Sequence, residues 1–557
     1  MKKLVCWWKK EGRYSSEKRY VTLVKSLLLA VLPIVCCLVY CAAHGHSLKE
    51  VYLPSSEWND ELFYYEQVDS IIRFGYPLGY YGFNESHALK LSFAAWSPVL
   101  VFPWVLWGMV FGWNLMSPVI CNIVLLTLCC FLFVWLVRPS WKQLGILTFL
   151  FCLFTPFVRY MLSGMPEIIC FSMLITFYAL AVNYLQREKA YKLVLLFVLS
   201  GVMTLMRPYL VLFLLLPVCL WIRRDRHHVC RWVGVTGSAA VLGAVLGIYV
   251  CIKHYFGAEY FAPLYFTDWI SAYFERGLFG GIRYTLGRLY YMGSDFLKHI
   301  LQGFRTGLAS GAHFAGYLVC MSVVAVQSLL DWGRLRRLAG EKAEAQDEVN
   351  EKAADVRKTV RDRLIIEVHL TFSFIAMLFA LLLMYKLTEG SKHLLTFMAA
   401  ALFVIALMET KFYKKAVLVG VTFAYFYSYM AVNPYDYEAP FVQEERKAAV
   451  EAFGEALVGQ LVLERENAPN YENVVIWVFN DMVEGTAVNT EWQLLYGLPE
   501  GFGISCCLRD YIIEQFDDLQ SRYLISPAGG EIDAMCREAG YRLLYRDSRT
   551  VFYERIP

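Results

Sequence analysis

The chain has 557 residues, of which 58% are hydrophobic and only 18% charged, with a mean hydropathy of +0.43. That balance excludes an ordinary soluble globular protein and places the chain in a membrane. The net charge of +3 gives no case for a nucleic-acid partner, and the 16 cysteines show neither metal-ligand spacing nor a paired framework.

The N-terminal segment "MKKLVCWWKKEGRYSSEKRY" is basic and leads into an apolar run over 23–44, long enough to cross a bilayer. The run is long for the core of a signal peptide, so it reads as a retained first span. Further apolar runs follow at 118–137, 143–161, 167–186, 192–206, 208–222, 232–253, 308–330, 364–386, 393–409 and 415–432. The runs 192–206 and 208–222 are short and meet at Arg207-Pro208, which suits a shallow hairpin. The stretch 93–113 is apolar too, but Pro98 and Pro103 interrupt it and its tryptophans favour the membrane interface.

The basic segments "RPSWK", "QREKAYK", "RRDRHHVCR", 331–363 and "ETKFYKK" belong on the cytoplasmic face with the N-terminus. They alternate correctly only if 93–113 does not cross fully. The expectation is therefore an all-α polytopic domain of about eleven transmembrane helices over 1–433, in the cell membrane, with outer loops at 45–117 and 254–307. The 254–307 loop places Arg276, Arg283, Arg288, Lys298 and Arg305 outside, against the simple charge rule. Either a longer loop tolerates them or they have work to do near an anion. The mixed-charge segment 331–363 reads as a solvated helical connector.

Past 433 the pattern changes. "NVVIWVF" and "SRYLISP" have the β-branched and aromatic content of buried strands. "GGEIDAMCREAG" reads as a short helix closed by glycine, and "YRLLYRDSRTVFYER" as a hairpin around Asp547-Ser548. Residues 434–557 are thus expected to form a small extracytoplasmic α/β domain.

In "WNDELFYYEQ", Asp60 and Glu61 stand just after the first span, with Asn59 or Asp60 placed to cap a helix that Gly75 closes. Tyr64, Val68, Ile71 and Ile72 fall on one face and Glu66, Asp69 and Arg73 on the other, the pattern of an amphipathic helix lying on the membrane surface. Acids in its first turn can serve simply as caps. Glu167 in "RYMLSGMPEII" is a further acid at the outer mouth of a span, with Arg159 nearby to neutralise it. Lys392 and His393 in "EGSKHLLTF" stand at the outer mouth of another. Carboxylates and cations on one membrane face suit attack on a sugar held by a lipid phosphate. A carboxylate takes the acceptor proton and cations steady the departing phosphate.

The order of these features resembles the GT-C superfamily of integral-membrane glycosyltransferases, the group that includes protein O-mannosyltransferases and the aminoarabinose transferase of lipid A. The resemblance rests on "NDE", the helix "LFYYEQVDSIIRFG", the proline element "WSPVLVFPWVLWGMVFGWN", "TLMRPYLVLF", "GSKHLLTF" and the C-terminal α/β region. It implies Asp60 as the catalytic base with Glu61 its neighbour, Glu167 as a second catalytic acid, and Lys392 with His393 at the lipid phosphate. Lys90 would match a lysine before the proline element, although "ALKLSFAAWSP" separates the two here. Arg207 in "MRP" joins the donor-binding set or bonds carbonyls where two short spans meet. Arg288 enters on charge and side alone. Some members need a divalent metal, which Asp60 and Glu167 can hold, but no oxygen-ligand motif is visible.

The implied activity is inverting transfer of a sugar from a polyprenyl-phosphate donor to an extracytoplasmic glycan, lipid or protein, with membrane lipid as the surrounding partner. The basic 254–307 loop keeps a surface-polysaccharide polymerase or ligase open as an alternative. A flippase or transporter is the other alternative, weakened by few mid-membrane charges and no repeated halves.

Overall fold

The computed structural model describes residues 19–75, 80–85, 98–224, 228–256, 266–340, 347–408, 413–432, 440–461 and 473–556. Among them, seven helices are long and apolar enough to cross a membrane: Arg19–Ala43, Ser117–Val137, Glu167–Gln186, Trp232–Ile252, Ala309–Leu338, Val356–Met384 and Gly390–Leu407. Shorter apolar helices cover Pro98–Phe111, Trp141–Leu153, Ala190–Met206 and Pro208–Arg223. The expected run 143–161 is broken. Helix Trp141–Leu153 stops, and a six-residue helix restarts at Pro156, where proline has no N–H to continue the ladder. Pro208 likewise opens a 3₁₀ stretch, so 190–206 and 208–224 pack back on each other as the hairpin expected from Arg207-Pro208.

One end of the bundle carries the basic segments that follow the spans ending at Val137 and Gln186. There Lys25 Nζ donates to the Pro139 carbonyl, Gln143 to the Leu407 carbonyl and Lys192 to the Asn183 carbonyl. Asp331, Arg363 and Glu367 are buried at this end, where Arg363 pairs with Asp331. At its two ends the segment expected as a solvated connector over 331–363 is instead buried, since Asp331 and Arg363 pair across the helices Ala309–Gly340 and Asp347–Met384; residues 341–346 lie outside the described residues.

The other end carries the α/β region. Its mixed sheet has strands β1 (Tyr80–Phe83), β2 (Val474–Phe479), β5 (Gly503–Leu508), β6 (Tyr523–Pro527), β7 (Arg542–Arg546) and β8 (Thr550–Glu554). The order is β1-β5-β2-β6-β8-β7, with a separate hairpin β3 (Asp481–Val483) and β4 (Thr486–Val488). The first three pairings are parallel, and β6-β8 and β8-β7 are antiparallel. Both faces of β2 are buried, which explains its unbroken apolar run. Side chains alternate between two cores: Val475, Trp477, Ile504, Cys506 and Ile525 on one face, Ile476, Val478, Cys507 and Leu524 on the other. The second face is covered by helix Glu531–Glu538, followed by Gly540 at φ +75°.

Edge strand β1 comes from far upstream, in the loop between the first span and the proline helix, and pairs with Tyr80 opposite Ile504. Glu85, buried just after it, accepts from the backbone N–H groups of Gln520 and Ser521. A second tie joins the segment after the first span to the start of the C-terminal region: Val51 bridges Phe441, and Tyr52 N–H donates to the Pro440 carbonyl.

The helix Asn59–Phe74 lies between these two bodies. Tyr64 and Val68 join the membrane core, whereas Leu62 and Phe63 join the α/β core beside Trp477 and Trp492. The expected amphipathic helix on the membrane surface is therefore wedged between two cores, with Leu62 and Phe63 covered by the α/β region. Its N-cap is also Trp58, without a side-chain capping bond, rather than Asn59 or Asp60. Gly75 closes it at φ +80°, as the sequence implies.

The expected loop 254–307 is mainly helical. Asp268–Thr306 is one long element with a break at Gly277, whose φ of +68° interrupts the helix. Near its end Gly303 meets Gly311 with backbones close enough that a Cβ on either would crowd the other.

Candidate active site

A cleft of about 400 Å³ opens at the end of the bundle that carries the α/β region. Four chain segments wall it: Glu57, Trp58, Asn59 and Asp60; Arg159, Tyr160 and Met165; Leu308, Ala309, Ser310 and His313; and Ser391 with Lys392. Each stands at or beside the end of a helix, so the bundle fixes the walls while backbone turns shape them.

Asp60 sits in the first turn of its helix, and its carboxylate accepts from Lys392 Nζ at 2.9 Å. The side chains are 44% and 29% exposed, so this pair faces the cleft. Directly behind it lies a second pair. Glu167 opens its helix after Pro166 and accepts from Arg207 Nη2 at 2.7 Å, with both side chains fully buried. Arg207 Nη1 lies 3.1 Å from the Tyr209 hydroxyl and 3.2 Å from His393 Nδ1. Because Lys392 and His393 are consecutive, one helix start links the two pairs. The charges of Asp60, Glu167 and Arg207 all act on Lys392.

The structure thus gathers Asp60, Glu167, Arg207, Lys392 and His393 from distant parts of the chain. Glu61 lies alongside but is fully buried against Gly164, and does not line the cleft. Burial pushes its carboxyl up to about 7, opposed by the Arg159 guanidinium, the Ser56 hydroxyl and the Gly164 backbone N–H. Glu167 is neutralised by Arg207 and not by Arg159, whose guanidinium lies over Trp58 instead. Arg288 is elsewhere. It pairs with Asp268 at 2.8 Å and stacks on Phe266, and it is not a cleft residue. Lys90 lies outside the described residues.

Beyond Asp60 and Lys392, the cleft is shaped by residues that the sequence does not mark as site residues. The Arg159 guanidinium stacks on Trp58 at 4.0 Å, and Trp58 stacks on Tyr160 at 5.4 Å. His313 lies 3.4 Å from the Ser391 hydroxyl. Trp58 adjoins the acids and Arg159 precedes "MPE", which is a usable signal; His313 sits inside an apolar run and gives none.

A divalent metal does not fit the acids as they stand. Asp60 and Glu167 each hold a cationic side chain directly, and among the described residues no group of three or more His, Cys, Asp or Glu is placed to bind an ion.

No protein-family model and no curated protein matches the chain. Two crystal structures of ArnT from Cupriavidus metallidurans are similar to it, each at 11% sequence identity over 94% of this chain and 97% of that one. The apo structure has a TM-score of 0.41, and the structure bound to undecaprenyl phosphate has 0.39.

Proposed function

We propose that the chain is a membrane glycosyltransferase of the GT-C type, which moves a sugar from a polyprenyl-phosphate donor to an acceptor hydroxyl with inversion. The reading rests on one observation above all. A carboxylate and an ammonium from residues far apart in the chain meet at 2.9 Å in a cleft at one end of a helix bundle built to cross a membrane. The basic residues at the opposite end support a cytoplasmic N-terminus, and so an extracytoplasmic cleft and α/β domain.

In this mechanism the donor phosphate competes with Asp60 for Lys392. Capture of the ammonium by phosphate releases the carboxylate, which then accepts the proton of the acceptor hydroxyl. The acceptor oxygen bonds to the anomeric carbon as the carbon–oxygen bond to phosphate breaks. The phosphate leaves with the electron pair and is steadied by Lys392. Glu167, Arg207 and His393 lie behind the pair and hold the helix that carries Lys392; they are positioning residues.

The test is transfer from a synthetic polyprenyl-phosphate sugar by the protein reconstituted in liposomes. Loss of a general base costs about 10²–10⁴-fold in rate, so Asp60→Asn is expected to abolish measurable transfer. Near-normal transfer by that variant removes the proposed role of Asp60. Mass spectrometry of lipids that copurify with the protein is expected to find the donor lipid.

A further inference from the structure

The helix Asp268–Thr306 has no counterpart in the mechanism above, yet its surface is unusual. After the break at Gly277, residues 278–306 run as a helix of about 43 Å at 1.5 Å per residue. It buries little more than Gly281, Phe296 and Gly303. Phe279, Leu286, Tyr290, Leu297, Leu301 and Phe304 are exposed, Phe279 by 86%. At about 100° per residue, these six side chains share an arc of about 60°. Arg283, Lys298 and Arg305 occupy the next arc of about 60°, on the side away from the buried edge, and all three are exposed. The helix thus has three stripes: one against the bundle, one apolar, and one basic beside the apolar one.

Such a helix does not cross a membrane, because Arg283, Arg288, Asp295 and Lys298 interrupt every stretch long enough to do so. An apolar stripe flanked by cations is instead the pattern of a helix lying in the bilayer interface. The rings and aliphatic groups sink among the acyl chains and the cationic heads reach the phosphates.

We infer that 278–306 is a binding surface for anionic phospholipid headgroups, with Arg283, Lys298 and Arg305 as the recognising cations. Charge complementarity selects this occupant: three like charges at the edge of one lipid-facing stripe attract a negative surface and do nothing for a zwitterionic one. The surface also bears on the cleft. The helix ends at Gly307, at φ +72°, and the next residues, Leu308, Ala309 and Ser310, form one cleft wall. A helix held at headgroup depth therefore holds that wall at headgroup depth. The inference goes beyond the proposed transfer reaction and does not depend on it.

The experiment uses the full chain in nanodiscs containing trace amounts of a phospholipid with a diazirine in its acyl chain. One set carries a phosphatidylglycerol head and the other a phosphatidylcholine head. Crosslinked peptides are mapped by mass spectrometry. The expected result is labelling within 278–306, with about fivefold or greater preference for phosphatidylglycerol. The Arg283→Gln/Lys298→Gln/Arg305→Gln variant is expected to keep the labelling and lose the preference. Equal labelling by both lipids in the unmodified chain, or a preference that survives the triple substitution, overturns the assignment of these cations. Absence of labelling within 278–306 overturns the placement of the helix in lipid. None of these readouts requires transfer activity, so failure here is distinct from failure of the transferase reading.

Discussion

Consider removing one member of the pair Glu167–Arg207. Both side chains are fully buried and the contact is 2.7 Å. Glu167→Leu leaves a guanidinium in the core without its carboxylate, while the Tyr209 hydroxyl and His393 stay within hydrogen-bond length. Stranding one charge of a buried pair costs about 3–5 kcal/mol. Arg207→Met strands the carboxylate and is expected to cost about the same. The double variant Glu167→Leu/Arg207→Met removes both charges and is expected to fall within about 2 kcal/mol of the unmodified chain, because well-packed apolar replacements of buried pairs are often neutral. The three unfolding free energies, each taken relative to the unmodified chain and measured by titrating micelle-embedded protein with dodecyl sulfate, give a coupling energy of about 4 kcal/mol or more in this scheme. Single variants that cost under about 1 kcal/mol, or a double variant equal to the sum of the singles, would refute the view that these charges compensate one another.

The cleft pair should behave in the opposite way. With side chains 44% and 29% exposed, Asp60–Lys392 is worth about 0–1 kcal/mol, so Asp60→Asn should leave the denaturation midpoint almost unchanged while transfer is lost. For Glu61, the carboxyl is raised by burial from 4.5 to about 7, so the folded state holds its proton more tightly than the unfolded one. Its contribution is therefore fully present below about 4.5, is lost as pH rises to about 7, and is flat above; Glu61→Gln should flatten that slope and be more stable at pH 8 by about 3 kcal/mol. The groups acting on Glu61 are Arg159, Ser56, the Gly164 backbone and Asp60, and a slope unchanged in the Gln variant would assign the titration to another acid of this helix, such as the half-buried Glu66 or Asp69. At the domain junction, Glu85→Ala deprives the N–H groups of Gln520 and Ser521 of their acceptor, a loss of about 1–3 kcal/mol that should appear as faster amide exchange at those two positions.

Much of the architecture is legible because it is written locally. The run expected at 167–186 is the helix Glu167–Gln186, opened by Pro166 at its N-cap. The strand pattern of "NVVIWVF" needed only β-branched content and an unbroken apolar run. What was not legible depends on partners distant in sequence. Tyr80–Phe83 becomes a strand because β5, over four hundred residues away, offers it an edge. The 59–74 helix has a polar face in projection, yet Leu62, four residues before Glu66 on that same face, and its neighbour Phe63 join the α/β core with Trp477 and Trp492. Its amphipathic pattern could not reveal that two cores would compete for it. His313 gave no signal because a histidine in an apolar helix gains meaning only from what faces it, here Ser391.

The two ion pairs explain each other through the helix Leu387–Leu407. Consecutive residues on a helix point about 100° apart, so Lys392 and His393 cannot serve the same partner. Lys392 reaches Asp60 in the cleft while His393 turns into the core against Arg207. Arg207 is in turn held by Glu167, at the start of a helix packed along the same helix 387–407. The rotation of helix 387–407 about its own axis is therefore set by a buried interaction, and the position of the exposed ammonium follows from it. In the proposed mechanism, that arrangement lets Lys392 exchange Asp60 for a phosphate without losing its place. A lysine held only by its cleft partner would have to choose between being positioned and being available, whereas here the buried pair positions it and the exposed pair leaves it available.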